Sequence, residues 1–129
     1  MTTIGARLTR VAAGEVTIEL PFRADLTQQH GFIHAGMVTA VVDTACGYAA
    51  YSLMPEDAAV LTIEYKVNFL APAEGERLVA TGRVIKAGQT ITVCTGEVVV
   101  TLGGQEKLVA AMQATMMTIR GRANLAGWG

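Results

Sequence analysis

The chain has 129 residues, about the size of one ordinary domain, and its composition of 51% hydrophobic and 16% charged residues is apolar enough to imply that some surface lies between subunits. Ten basic and eleven acidic residues give a formal charge of -1, and no run of like charges offers a footprint for nucleic acid. The two cysteines, Cys46 and Cys94, stand far apart in apolar settings, which predicts buried, reduced thiols and neither a disulfide nor a zinc site.

Met1 to Arg7 lacks the apolar stretch and cleavage site of an export signal, so the expectation is a cytoplasmic protein. Ile4 to Val11 and Val16 to Phe22 read as strands around Ala13-Gly14, and the second alternates cleanly through Val16, Ile18, Leu20 and Phe22. Thr27 to Ile33 has no period and reads as a loop, where functional groups are often carried. From Gly36 to Ser52 the chain is rich in Ala and free of Pro until Pro55, which predicts one helix. The low-charge segment from Ala35 to Leu53 resembles a membrane span, but Asp43 at its centre would be expensive in lipid. Apolar residues run almost all round, as in a helix enclosed by other structure. Val60 to Leu70, Arg77 to Lys86, Thr90 to Leu102 and Lys107 to Arg120 read as four more strands. Pro72-Ala73-Glu74-Gly75, Ala87-Gly88-Gln89 and Gly103-Gly104-Gln105 separate them, each with the glycine of a tight reversal. The sum is one α+β domain over residues 1–129, with a single buried helix wrapped by a curved, largely antiparallel sheet of about six strands and a flexible tail over 121–129.

The densest polar cluster is Gln28-Gln29-His30-Gly31-Phe32-Ile33-His34-Ala35-Gly36 followed by Asp43, where the loop feeds the helix. Backbone N–H groups at a helix start have no intrahelical acceptors, so Ala35 and Gly36 could together hold a developing oxyanion. His34 just before the helix could cap it or hold the loop. A carboxylate on an otherwise apolar helix is costly unless something solvates or uses it, so Asp43 is either a reacting group or half of a polar pair with Thr39 or Thr44. Asp43 lies about two turns, ~10 Å, beyond the helix start. The two features cannot serve one carbonyl from one helix, which points to a site completed by a second chain. No spacing of His, Cys or carboxylates fits a metal, and Cys46 has no basic neighbour to make it a nucleophile. Neither a cofactor nor a metal is expected.

These residues, with Asp43-Thr44-Ala45, Asn68-Phe69-Leu70-Ala71-Pro72-Ala73 and Ala114-Thr115-Met116, resemble the hot-dog thioesterases of the PaaI-like family over most of the chain. The resemblance implies a long helix inside an antiparallel sheet, two chains sharing one continuous sheet, and assembly as a dimer or a dimer of dimers. It implies hydrolysis of an acyl-CoA thioester, with Asp43, nine residues after His34, as general base or nucleophile and the Ala35 amide as oxyanion donor. Gln28 stands where relatives carry an Asn that polarises the thioester, and Thr62 where some carry a hydroxyl that positions water. The competing expectations are a hot-dog dehydratase or hydratase, whose proline-rich loop is missing from residues 28–36, and a non-catalytic acyl-CoA-binding domain. Release of thiol separates the last of these from an enzyme.

Overall fold

A computed structural model describes residues 5–22 and 33–121. Strands β1 (Arg7–Ala12) and β2 (Glu15–Pro21) lead to helix α1 (Ala35–Tyr51), followed by β3 (Ala59–Phe69), β4 (Arg77–Ala87), β5 (Ile91–Leu102) and β6 (Gln105–Ile119). The six strands form one antiparallel sheet in the order β1-β2-β4-β5-β6-β3. The expected single helix and six strands are thus present, with ends shifted by a few residues. Ile4, expected to open the first strand, and the expected tail beyond Gly121 lie outside the described residues.

One expectation is corrected by the strand order. Pro72 to Gly75 does not close a hairpin, because β3 pairs with β6 at the far edge while β4 sits between β2 and β5. The segment is a crossover. Its glycine serves packing instead: a β-carbon on Gly75 would stand 2.7 Å from the Thr101 carbonyl oxygen. Gly103 and Gly104 do form a two-residue hairpin turn, both with positive φ, the backbone that best matches the twist of the flanking strands.

The helix lies chiefly over β2, β4 and β5. Two glycines fix how closely. Gly82 and Gly96 are cross-strand partners on β4 and β5, and added β-carbons would stand 2.5 Å from the Ala45 and Cys46 backbone and from Val42 Cγ2 respectively. Their missing side chains let α1 rest directly on the sheet. Val38, Val41, Val42, Ala45, Cys46 and Ala49 of the helix then pack on Ile18, Leu20, Leu78, Ala80, Cys94 and Val98, each larger side chain contributing about 1.5–3 kcal/mol through burial.

The helix is less enclosed than its composition predicts. Gly36 is exposed, Asp43 and Thr44 are half-buried, and Tyr48 keeps 44% of its surface. Because α1 leans toward β2, β4 and β5, the inward face of β3 is also left uncovered: Tyr65 and Phe69, opposite the buried Ala114 and Ala110, are 47% and 51% exposed. Both cysteines are buried and unpaired, as expected, and the Cys94 thiol donates to the Cys46 carbonyl. Among the described residues no helix is long and apolar enough to cross a membrane.

Candidate active site

Asp43 is the only charged residue of α1. The two local partners open to it from sequence are engaged elsewhere: Thr39 and Thr44 each donate to a carbonyl one turn back, at 2.9 and 2.7 Å, the habit of helical threonines. Its partner comes from the sheet. The Thr62 hydroxyl on β3 lies 3.0 Å from Asp43 Oδ1 and 3.2 Å from Met116 Sδ. One hydroxyl proton serves one acceptor at a time, and a carboxylate oxygen is a stronger acceptor than a thioether sulfur. Thr62 therefore holds Oδ1 and orients the carboxylate.

A β-bulge makes this contact possible. Thr62 opposes Met116 and Glu64 opposes Thr115, so Ile63 is the extra residue. Strict alternation would put Thr62 and Glu64 on one face. The bulge sends Glu64 outward, where Thr115 donates to it at 2.6 Å, and brings Thr62 and Tyr65 inward together. Bulges commonly re-aim a side chain in this way beside a site. Glu64 is thereby kept away from Asp43.

At the helix start, His34 is the N-cap, and its Nδ1 accepts the Gly36 N–H at 3.0 Å. Gly36 leaves room for the ring, since a β-carbon there would stand 3.2 Å from the same nitrogen. The amides of Met37 and Val38 both donate to the His34 carbonyl. This revises the expected pair of oxyanion donors, because the Gly36 amide is spent on His34. The Ala35 amide has no acceptor among the described residues. Ala35 instead lines a cavity of about 370 Å³, with Ile33, Val38, Phe69, Pro72 and Val109 in its wall. Asp43 is not part of that wall. Phe69, half-exposed on β3, reaches that wall, whereas Val41 of α1 is entirely core. Gln28 lies outside the described residues.

The thiols are inert in this setting. Burial, then Cys94 and then Asp43, push Cys46 up to about 12; burial pushes Cys94 up to about 11. Neither is a nucleophile near neutral pH. No cluster of three potential metal ligands occurs among the described residues. Arg77 pairs with Glu19, and Arg83 with Glu15 and Glu97, on the outer face.

A single helix packed on a six-stranded antiparallel sheet is the hot-dog fold. The chain belongs to the thioesterase superfamily, whose family model matches residues 30–106. It is similar in structure to a thioesterase family protein from Silicibacter pomeroyi, at 52% identity and a TM-score of 0.93, covering 94% of this chain and 89% of that one. It also resembles the E. coli PaaI protein from the phenylacetic acid degradation operon, at 25% identity and a TM-score of 0.83, covering 93% and 83%. A Halobacterium salinarum protein named for esterase activity is 33% identical over 101 residues, 74% of this chain and 66% of that protein. A second relative so named, from Saccharolobus solfataricus, is 28% identical over 70% of this chain and 64% of its own length. The chain spans just under two-thirds of each of these two relatives.

Proposed function

We propose that this member of the superfamily is a cytoplasmic acyl-CoA thioesterase whose site is shared by two chains, Asp43 from one and the Ala35 amide from the other. The observation that carries the reading is Asp43 itself, the lone charge of α1, held in place by the Thr62 hydroxyl at 3.0 Å. Eight residues of helix separate Ala35 from Asp43, about 12 Å along the axis, too far for one carbonyl to meet both. Two features favour completion by a second copy. The outer edge of β3 has no strand partner among the described residues. Leu61, Ile63, Tyr65 and Phe69 along that strand are 36–51% exposed, and a long apolar edge invites pairing. Joining β3 to β3 gives a dimer, and two dimers give the larger assembly expected of the family.

In this reading the thioester carbonyl accepts the Ala35 N–H, which stabilises the tetrahedral oxyanion. Asp43 of the other chain takes a proton from water as the water oxygen bonds to the carbonyl carbon. Collapse breaks the carbon–sulfur bond, and the thiolate leaves without strong acid assistance. In the alternative chemistry for the same residue, the carboxylate attacks directly and water opens the mixed anhydride. A single turnover in ¹⁸O-water separates them: a general base puts label into the first acid released, a nucleophile puts it into Asp43.

The test is a thiol-release screen over acyl-CoAs of varied chain length and aryl type, beside Asp43→Asn and Asp43→Ala. Wild-type turnover with both variants silent is expected. Wild-type rates in Asp43→Asn refute the role, and a wild type that binds acyl-CoA without releasing thiol makes the protein a binding domain.

A further inference from the structure

One turn beyond Asp43, on the same face of α1, stands Gly47. The residue is buried, yet a β-carbon added there meets no atom within 4 Å among the described residues. Gly82 and Gly96 differ, because packing against the helix at 2.5 Å demands them. Gly47 has no such neighbour among the described residues, and its φ is not positive. It occupies a helix interior, where only proline is a poorer choice. Among the described residues neither contact nor conformation accounts for it, and its vacant side-chain position lies one helical turn from the carboxylate.

We infer that Gly47 sets acyl specificity: the vacant side-chain position receives the first carbons of the acyl group beyond the thioester carbonyl, admitting acyl groups that are bulky there, aryl or branched. The inference rests on the thioesterase reading. Attack by Asp43, or by a water that it holds, requires the carbonyl carbon close to the carboxylate, which brings the adjoining acyl carbons within one helical turn of it. The chemistry of the space suits hydrocarbon. Asp43 is the only charge on α1, and Ala50 and Tyr51, three and four residues on, share the face of Gly47. A CoA arm with two amides would need polar partners that the helix does not offer there.

Gly47→Ala and Gly47→Val test it, with kcat/KM measured across straight-chain, branched and aryl acyl-CoAs. Alanine improves helix propensity, so that variant should melt no lower than wild type. For the shortest acyl-CoA that wild type turns over, both variants should stay within about twofold, while aryl and branched substrates lose about tenfold or more with valine and less with alanine, as expected when a group of methyl size or larger is excluded from a pocket. Equal losses across the series, or none, overturn the inference while leaving the thioesterase reading intact. A changed oligomer size by light scattering also overturns it, assigning the space to the neighbouring subunit. A wild type inactive on every acyl-CoA overturns both.

Discussion

Replacing Thr62 by valine keeps the shape of the side chain and deletes the hydroxyl that holds Asp43 Oδ1 at 3.0 Å. A hydrogen bond to a charged group contributes about 1.5–3 kcal/mol. Asp43 is only half-buried, so water recovers part of that, and the lower end, about 1.5 kcal/mol, is the appropriate figure. If the bond serves to aim the carboxylate, its loss falls on the chemical step, and kcat should drop about tenfold with KM little changed. Thr62→Ser, which keeps the hydroxyl, should stay within about threefold. The assay is thiol release under saturating substrate, with circular dichroism to confirm that both variants fold. A folded Thr62→Val enzyme with wild-type kcat would refute the claim that this contact positions Asp43. Equal losses in valine and serine variants would refute it too, pointing to packing against Met116.

His34→Ala removes the acceptor for the Gly36 amide and should cost about 1 kcal/mol, lowering the melting temperature by ~3–5 °C; His34→Asn, a favoured cap, should recover most of this in a thermal melt. The two thiols should resist a thiol reagent at pH 8 in the native protein and both react once it is denatured. Their folded-state values are raised, to about 12 and about 11 from an ordinary 9.0, so the unfolded chain releases these protons first. Their contribution is therefore complete below pH 9 and is lost as pH rises through 11 to 12. Cys46→Ala combined with Cys94→Ala should flatten that alkaline decline in urea melts at successive pH values.

Much of this architecture was legible in the residues. The alternation of Val16, Ile18 and Leu20 marks β2 and the Ala-rich run before Pro55 marks α1, because helices and strands write a local period into the chain; the interval from His34 to Asp43 drew its meaning from the resemblance. Pairing is not local. Nothing in Ala59–Phe69 says that this strand crosses to the far side of β6, and Gly75 reads equally well as a hairpin glycine or a packing glycine. The bulge at Ile63 was hidden for the same reason, since it becomes visible only against Met116 and Thr115 on the partner strand. Thr62 was suggested by resemblance, not by any spacing, and residue chemistry alone pointed to Thr39 and Thr44, which are occupied by their own helix. Of the two roles open to His34 by sequence, capping the helix or holding the loop, it has the first. Its consequence was not legible: the ring accepts the Gly36 N–H, so that of the two amides proposed as donors only that of Ala35 has no acceptor among the described residues.

The proposed pairing of Ala35 as the donor with Asp43 as its counterpart on a second chain has a direct test. Ala35 is the first residue of α1, where proline is well tolerated, and His34, at φ -59 and ψ 138, already has the backbone required before a proline. Ala35→Pro thus deletes one N–H while keeping the helix start. Ala35→Pro and Asp43→Asn chains should each be inactive alone. Unfolded together in equal amounts and refolded, half of the dimers would be mixed, each with one intact site, and thiol release should recover to about a quarter of wild type by random pairing of the subunits. No recovery, with mixed dimers confirmed by mass spectrometry, would contradict a site built from two chains.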